Sequence, residues 1–182
     1  LSQGDSLVVG RLIGVAALGL YQMAVRIASL PSTEITNTIT QVTFPAYSKI
    51  QDDIPRIRDA YLKVLKSTAL LSCPLAGLIA VFADDFVRLF LKPEWLPIIP
   101  VIQLLAVNGL VVSIGSTSSP VFQAIGRPRT TAKLQFVKFI FLVIAIFPLT
   151  LRFGINGTAM AMLIATIALQ PLVFGFLRRS IG

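Results

Sequence analysis

Long apolar runs alternate with short polar turns along the whole chain, and the length of each run can be compared with the thickness of a membrane. A helix that crosses the hydrocarbon core needs about 20 predominantly apolar residues. Prolines, glycines and charged residues divide the chain into six segments at 6–30, 32–48, 60–82, 96–125, 131–151 and 155–177. The pattern therefore predicts an all-α, polytopic membrane protein arranged as a six-helix bundle.

The second segment, 32–48, is rich in threonine, and its polar residues follow a helical spacing. They recur at i, i+3, i+4 and i+7, which places them on one face: Glu34, Asn37, Thr38 and Gln41. Exposing such a stripe to lipid is costly, so we expect it to face a hydrated cavity or polar partners. The alternative is an amphipathic helix on the membrane surface, although such helices usually carry Lys or Arg on their polar face and this stripe has neither.

Composition supports a membrane location and limits the kinds of chemistry expected of the chain. Hydrophobic residues make up 55% of the 182 and charged residues only 13%, with a mean hydropathy of +0.82. Soluble domains carry about a quarter charged residues, so the outer surface here is expected to face lipid. The chain contains no histidine, the commonest metal ligand and general base, and its acidic residues do not cluster. We therefore expect no enzyme activity, catalytic residue, metal site or cofactor.

The net charge of +8 has a distribution that indicates membrane topology rather than nucleic-acid binding. Eleven basic residues lie in or beside the turns that follow segments two, four and six: Lys49, Arg56, Arg58, Lys63, Lys66, Arg127, Arg129, Lys133, Lys138, Arg178 and Arg179. The opposite side receives Arg88, Lys92 and Arg152, with Arg26 near its edge. Cytoplasmic loops carry such an excess of Lys and Arg, so we expect a multi-pass protein of the cell membrane with a cytoplasmic C-terminus.

The first segment carries two arginines, Arg11 and Arg26, which lie about 22 Å apart along a helix and about 60° apart around it. One hypothesis is that both line a cavity that holds an anion such as a lipid-linked diphosphate, because a guanidinium donates two hydrogen bonds to phosphate oxygens. The alternative is that they extend to opposite membrane interfaces. Small residues on a neighbouring face are suited to close helix packing: Gly10, Gly14, Ala17, Ala24 and Ala28.

The fourth segment is interrupted by a run of hydroxyl side chains, 116–119, that comes directly before Pro120. Ser and Thr hydroxyls can satisfy the backbone groups that a proline kink frees, which is one interpretation of the run. A cavity lining or a gating hinge is the other.

Several stretches resemble bacterial polysaccharide-unit flippases. The resemblance is carried by residues 4–14, by Leu18-Gly19-Leu20-Tyr21, by the stretch 42–51 and by Ala124-Ile125-Gly126-Arg127. The most specific part is Phe44-Pro45-Ala46-Tyr47-Ser48. The chain is similar over its whole length to the lipopolysaccharide and teichuronic acid biosynthesis branch of the multidrug/oligosaccharidyl-lipid/polysaccharide exporter superfamily. It resembles the second of the two six-helix halves of such a transporter, so we expect a piece of a longer protein.

The resemblance implies flipping of a polyprenyl-diphosphate-linked oligosaccharide from the inner to the outer leaflet by alternating access. The implied partners are the lipid-linked oligosaccharide, the bilayer and the absent N-terminal half of the same chain, with no nucleic acid. No family motif fixes substrate-binding residues by position. The candidates for the substrate cavity therefore rest on helical faces alone: Arg11, Arg26, Glu34, Asn37 and Gln41.

Two other functions remain open at this point. A small-molecule or drug antiporter of the same superfamily is expected to use membrane-embedded carboxylates for ion coupling, for which only Asp5 and Glu34 are candidates. A non-catalytic scaffold of polysaccharide assembly is the other alternative.

The charge distribution predicts the orientation of the chain in the membrane. In intact cells, a cysteine at Arg129 or Ser180 is expected to be shielded from a membrane-impermeant thiol reagent, whereas a cysteine at Pro93 is expected to react. The measurement is labelling of the inserted protein in a background without Cys73. Labelling of position 129 from outside would overturn the orientation.

Overall fold

The protein is an all-α bundle in the computed structural model, which describes residues 9–11 and 14–181. Within these residues there is no strand, and the elements run in this order: α1 Val15–Ser48, α2 Ile54–Phe90, a 3₁₀ helix Pro93–Ile98, α3 Ile99–Ser116, α4 Ser118–Ala124 and α5 Pro128–Ile181. Residue Gly154 has φ 60° and ψ −137°, a backbone conformation that interrupts α5. It divides that helix into a first arm, 128–153, and a second arm, 155–181.

Length and apolar composition mark three stretches of the described chain as able to cross a membrane: Ile54–Phe90, Pro93–Ala124 and Pro128–Ser180. The last of these has 53 residues and contains the Gly154 break, so it supplies two rods. The stretch 54–90 contains the predicted segment 60–82, and the two arms of α5 contain 131–151 and 155–177. The stretch 93–124 matches the predicted segment 96–125 to within three residues. The predicted all-α polytopic bundle is therefore confirmed.

The structure corrects the predicted boundary between segments one and two at Pro31. Helix α1 is continuous for 34 residues, with both Pro31 and Pro45 inside it. The Ser32 hydroxyl donates to the Ser29 carbonyl at 3.0 Å. The carbonyl that loses its helical N–H partner at Pro31 is that of Ile27, four residues earlier, so this bond does not replace the lost one.

The number of crossing helices changes as a result. At 1.5 Å per residue, α1 is about 50 Å long, enough for a single tilted crossing of a core that is about 30 Å thick. The described residues contain five long rods, which makes the predicted count of six approximate: α1, α2, the 93–124 stretch and the two arms of α5. The part of segment one at 6–8 and 12–13 lies outside the described residues.

Helix α3 lies at the centre of the bundle and packs against α1, α2 and α5. It approaches α1 closely, because a side chain at Gly109 would bring its Cβ within 3.1 Å of the Ser32 hydroxyl oxygen. Ala24 and Ala28 of α1 are buried beside it. The small-residue seam predicted from the sequence therefore packs against α3 at these two positions.

Two apolar clusters lie at opposite ends of the bundle. The turn-side cluster, beside the 3₁₀ helix, has these buried members: Val9, Tyr21, Ala24, Ala28, Ala83, Val87, Ile98, Val101, Ile102, Leu105 and Ala159. The loop-side cluster, beside the 49–53 and 125–127 turns, has these: Tyr47, Ile57, Tyr61, Val121, Phe122, Ala124, Leu134, Leu169, Val173 and Leu177. Buried polar side chains lie in the chain segments between the two clusters: Thr68, Ser72, Asn108, Ser113, Thr117, Ser118 and Thr166. This polar layer positions the candidate site.

The two arms of α5 form an antiparallel hairpin around Gly154. Leu142 and Ile146 of the first arm pack against Ala161 and Ala165 of the second. Nearer the turn, the hydroxyls of Thr150 and Thr158 are hydrogen-bonded at 2.9 Å and buried. The alanines and this hydroxyl pair allow close approach of the two arms, as is usual between membrane helices.

The hairpin predicts unequal effects of two glycine substitutions in the same arm. A Cβ on Gly157 would overlap the backbone carbonyl of Leu149, whereas a Cβ on Gly175 would meet nothing within 4 Å. We expect Gly157→Ala to destabilise the full-length protein by about 1–3 kcal/mol. Gly175→Ala is expected to be neutral or slightly stabilising, since alanine is the better helix former. The measurement is the thermal unfolding midpoint in detergent, and equal midpoints for the two variants would contradict the hairpin packing.

Candidate functional site: a polar cavity inside the bundle

The stripe predicted on segment two lies on the outer side of α1. Glu34, Asn37 and Gln41 are all exposed. The buried residues of α1 are on its other side: Tyr21, Ala24, Ala28, Thr43 and Tyr47. The described part of the chain therefore places no packing partner over the stripe.

The two candidate arginines are also exposed. Arg26 precedes Asn37 by 11 residues, which is about three helical turns, so the two share one side of α1. Arg11 lies in the helical stretch 9–11, before the interruption at Gly14, where φ is 109°. The single salt bridge within the described residues joins Arg88 and Asp84, so neither arginine is paired with Glu34 there.

A polar cavity of about 230 Å³ lies inside the bundle, between α1, the α3–α4 junction and both arms of α5. Its polar lining consists of Thr36, Thr40, Ser116, Ser118, Ser119, Thr131, Gln135, Lys138, Thr166 and Gln170. Phe122, Leu134 and Leu169 of the loop-side cluster form an apolar part of its wall. Helix α1 contacts the second arm of α5 at Tyr21, whose hydroxyl donates to the Met162 sulfur at 2.9 Å. The cavity lies farther along α1, at Thr36 and Thr40.

Each helix supplies polar side chains at the spacing that keeps them on one face. Thr36 and Thr40 come from α1, and Thr166 and Gln170 come from the second arm of α5. The first arm supplies Thr131, Gln135 and Lys138, at i, i+4 and i+7. The polar lining of the cavity therefore corresponds to polar positions at helical spacing on otherwise apolar helices.

Sequence reasoning missed Lys138 as a site residue because it was counted with the basic turn after segment four. The structure places it ten residues into α5, about 15 Å along the helix axis from Pro128. Its side chain is half-buried in the cavity. The signal that identifies it is the helical spacing with Thr131 and Gln135 in a phenylalanine-rich stretch, the same signal that marked the stripe on α1.

Two buried polar atoms of the cavity have no protein partner in the described chain. The Gln170 side-chain nitrogen donates to the Val111 carbonyl at 3.1 Å, while its oxygen is buried and unpaired. The Thr131 hydroxyl is likewise buried and unpaired. Leaving such a group without any hydrogen bond costs about 1–3 kcal/mol, so the cavity is suited to water or a polar ligand.

The hydroxyl run at the α3–α4 junction has both of the roles considered for it. Ser116, Thr117 and Ser118 donate to the carbonyls three residues before them, at 2.7–2.8 Å. These bonds confirm that the run satisfies backbone groups beside Pro120. Ser116, Ser118 and Ser119 also line the cavity. The interruption of the helix and the polar wall thus come from the same residues.

The cavity and the exposed stripe belong to one polar surface of α1. Each residue advances about 100° around a helix, so Asn37 lies about 60° from Thr40. Thr40 lines the cavity, and Asn37 is exposed on the neighbouring part of the helix surface. The cavity lining and the stripe are therefore adjacent on α1.

The charge of the cavity is positive. Lys138 is its charged lining residue, and no carboxylate is among the residues that line it. The described residues also hold no group of three or more His, Cys, Asp or Glu side chains that could bind a metal ion. The arrangement is suited to a polar or anionic molecule rather than to a cation.

Residues 1–100 match the family model described as "Polysaccharide biosynthesis protein". The chain belongs to this family. It is 36% identical over 140 residues to the lipopolysaccharide biosynthesis protein WzxC of Escherichia coli, which covers 76% of this chain and 28% of WzxC. It is 34% identical over 124 residues to the teichuronic acid biosynthesis protein TuaB of Bacillus subtilis, covering 68% and 26%.

A third relative matches along nearly all of the chain. It is an uncharacterised membrane protein in the cps region of Klebsiella pneumoniae, 30% identical over 174 residues, which cover 96% of this chain and 36% of that protein. The chain thus spans about a third of the length of these curated relatives.

Solved transporter structures share the fold. An outward-facing multidrug resistance MATE family transporter of the MOP superfamily aligns with a TM-score of 0.81 and 22% identity, over 97% of this chain and 41% of that one. A MOP superfamily transporter from Pyrococcus furiosus aligns with a TM-score of 0.74 and 16% identity, over 97% and 40%. The chain is therefore a multi-pass membrane protein with part of the MOP transporter fold.

The geometry of α1 predicts which of its positions meet water. In the full-length protein without Cys73, cysteines at Asn37 and Thr40 are expected to react quickly with a water-soluble thiol reagent. Cysteines at Ile35 and Ile39, which are half-buried on the other side of the helix, are expected to react at least about tenfold more slowly. The measurement is the labelling rate in membranes. Similar rates at all four positions would show that the polar face is not selectively hydrated.

Proposed function

We propose that the chain forms part of a flippase that moves a polyprenyl-diphosphate-linked oligosaccharide from the inner to the outer leaflet for cell-surface polysaccharide synthesis. It acts together with the remainder of the parent protein, by alternating access. The observation that carries this proposal is a positively charged polar cavity at membrane depth next to the exposed polar face of α1. Membership of the polysaccharide biosynthesis family and the MOP fold support it.

The site in this proposal is the exposed side of α1 with its neighbouring arginines. Arg26 and Arg11 receive the diphosphate, because a phosphate that leaves water needs fixed positive charge in exchange for its hydration. Glu34, Asn37 and Gln41 hydrogen-bond to the sugar hydroxyls. The remainder of the parent protein covers this face, since a polar stripe directed at lipid is costly. No catalytic role is assigned to any residue.

The five-rod arrangement supports a cytoplasmic C-terminus. The 49–53 turn, the 125–127 turn and the end of α5 fall on one side of the bundle, because successive rods are antiparallel. The basic residues counted from the sequence concentrate on this side. The orientation therefore does not depend on whether residues before Lys49 cross once or twice.

The composition of the cavity favours an anionic cargo over a cationic drug. An antiporter for cations is expected to place a carboxylate at membrane depth. Glu34 is on the exposed face instead, and the cavity carries Lys138.

The roles of the two arginines are tested by substitution in the full-length protein. A charge-assisted hydrogen bond contributes about 1.5–3 kcal/mol, so Arg26→Ala is expected to lower surface polysaccharide about tenfold or more. Arg11→Ala is expected to have a smaller effect. Arg→Lys is expected to restore activity only partly, because an ammonium lacks the two-pronged guanidinium geometry. The measurement is surface polysaccharide per molecule of membrane-inserted protein.

The matched control for these variants is Arg152→Ala. Arg152 is exposed beside Gly154 and outside the polar face of α1. We expect its loss to leave polysaccharide output unchanged. Wild-type output from both Arg11→Ala and Arg26→Ala would exclude these residues from substrate binding.

A further inference from the structure

Lys138 is a charged side chain at membrane depth, and the structure gives it no counter-charge. No salt bridge to it is found in the described residues, and the cavity lining contains no carboxylate. One turn before it, Leu134 is buried in the loop-side cluster with Phe122. Leu134 and Phe122 form an apolar part of the cavity wall beside Lys138. An ionisable residue in such a position indicates a binding role.

The groups around Lys138 are of the kind that bind an oxyanion carried by a sugar. The Thr131 hydroxyl is unpaired, and the Ser119 oxygen accepts from Gln123 at 3.1 Å, which leaves the Ser119 proton free to donate. The Gln170 oxygen, on the second arm of α5, is an unpaired acceptor. The cavity therefore offers ammonium and hydroxyl donors together with an acceptor suited to a sugar hydroxyl.

The cavity has a volume of about 230 Å³ and is open on one side. A charged group that enters it can therefore remain attached to a larger molecule that lies outside.

We propose that the cavity is a subsite for one anionic group, a carboxylate or a phosphate, which Lys138 binds together with the Thr131 and Ser119 hydroxyls. The identity of the donor molecule rests on the proposed function, which offers two sources: the carboxylate of an acidic sugar or the diphosphate of the lipid carrier. In either case Lys138, on α5, acts separately from the arginines on the α1 side. The subsite favours a cargo unit with a negative charge over a neutral one of the same shape.

The test uses the purified full-length protein in detergent and three probes at equal ionic strength: glucuronate, glucose and inorganic pyrophosphate. Glucuronate and glucose differ at one carbon, which is a carboxylate in the first and a hydroxymethyl group in the second. We expect at least one of the two anions to raise the thermal unfolding midpoint of the wild type, while glucose does not. A stronger response to glucuronate identifies an acidic sugar as the source, and a stronger response to pyrophosphate identifies the lipid diphosphate.

The variants assign the effect to the cavity. Lys138→Met removes the charge at similar length and is expected to weaken anion binding about tenfold or more, and Lys138→Arg is expected to retain most of it. Lys133→Met is the matched control, since Lys133 is on the same arm but exposed, outside the polar cavity, and its loss is expected to change nothing. If Lys138→Met cannot be purified as a folded protein, Thr131→Val serves instead and is expected to reduce anion binding severalfold.

The proposal is overturned if neither anion stabilises the wild type, if glucose stabilises it as strongly as the more effective anion, or if Lys138→Met responds like the wild type. Its failure is distinct from failure of the flippase function. If Arg26→Ala loses surface polysaccharide but no anion binds at Lys138, the flippase function is supported and only this subsite is contradicted. If an anion binds at Lys138 but both arginine variants give wild-type polysaccharide output, the subsite is supported and the arginine roles are contradicted.

Discussion

The bundle depends on one constraint, which is that a polar group at membrane depth must find its hydrogen-bond partner within the protein or in enclosed water. Lipid offers no partner, and each unsatisfied group costs several kcal/mol there. The hydroxyls at the α3–α4 junction meet the constraint by bonding to carbonyls of their own helix. Other polar side chains line one cavity, and the buried Thr150 and Thr158 hydroxyls bond to each other between the arms of α5. The apolar clusters at the two ends of the bundle then form without interruption.

The sequence was sufficient to predict the features that depend on local composition. The lengths of the apolar runs in the sequence predicted the rods at 54–90 and 93–124 and the hairpin of α5. A helix that lies in lipid needs mainly sufficient length and hydropathy. The hydroxyl run before Pro120 and the small residues Ala24 and Ala28 were also interpreted correctly. In both cases the chemistry acts within one helix or at one contact.

The features that were missed depend on packing between helices. Pro31 is locally a helix-ending signal, but α1 continues through it and packs closely on Gly109. From its neighbours in the sequence alone, Lys138 is assigned to a basic turn. Its position inside the bundle follows from α5 beginning at Pro128, and its charge is tolerated because α1, α3, α4 and α5 together enclose a polar space. Neither outcome can be read from one segment alone, whereas the spacing of Thr131, Gln135 and Lys138 already places them on one face.

The two prolines of α1 have a mechanical consequence. Each removes one backbone hydrogen bond and makes the helix locally compliant, while the stretch between them keeps its regular bonding. Pro31 and Pro45 bracket the polar face that carries Glu34, Asn37 and Gln41. That part of the helix is therefore a rigid segment, about 20 Å long, with a flexible point at each end. When α1 bends at the prolines, the segment tilts as a unit, so its polar groups keep their mutual geometry while their orientation toward the cavity changes.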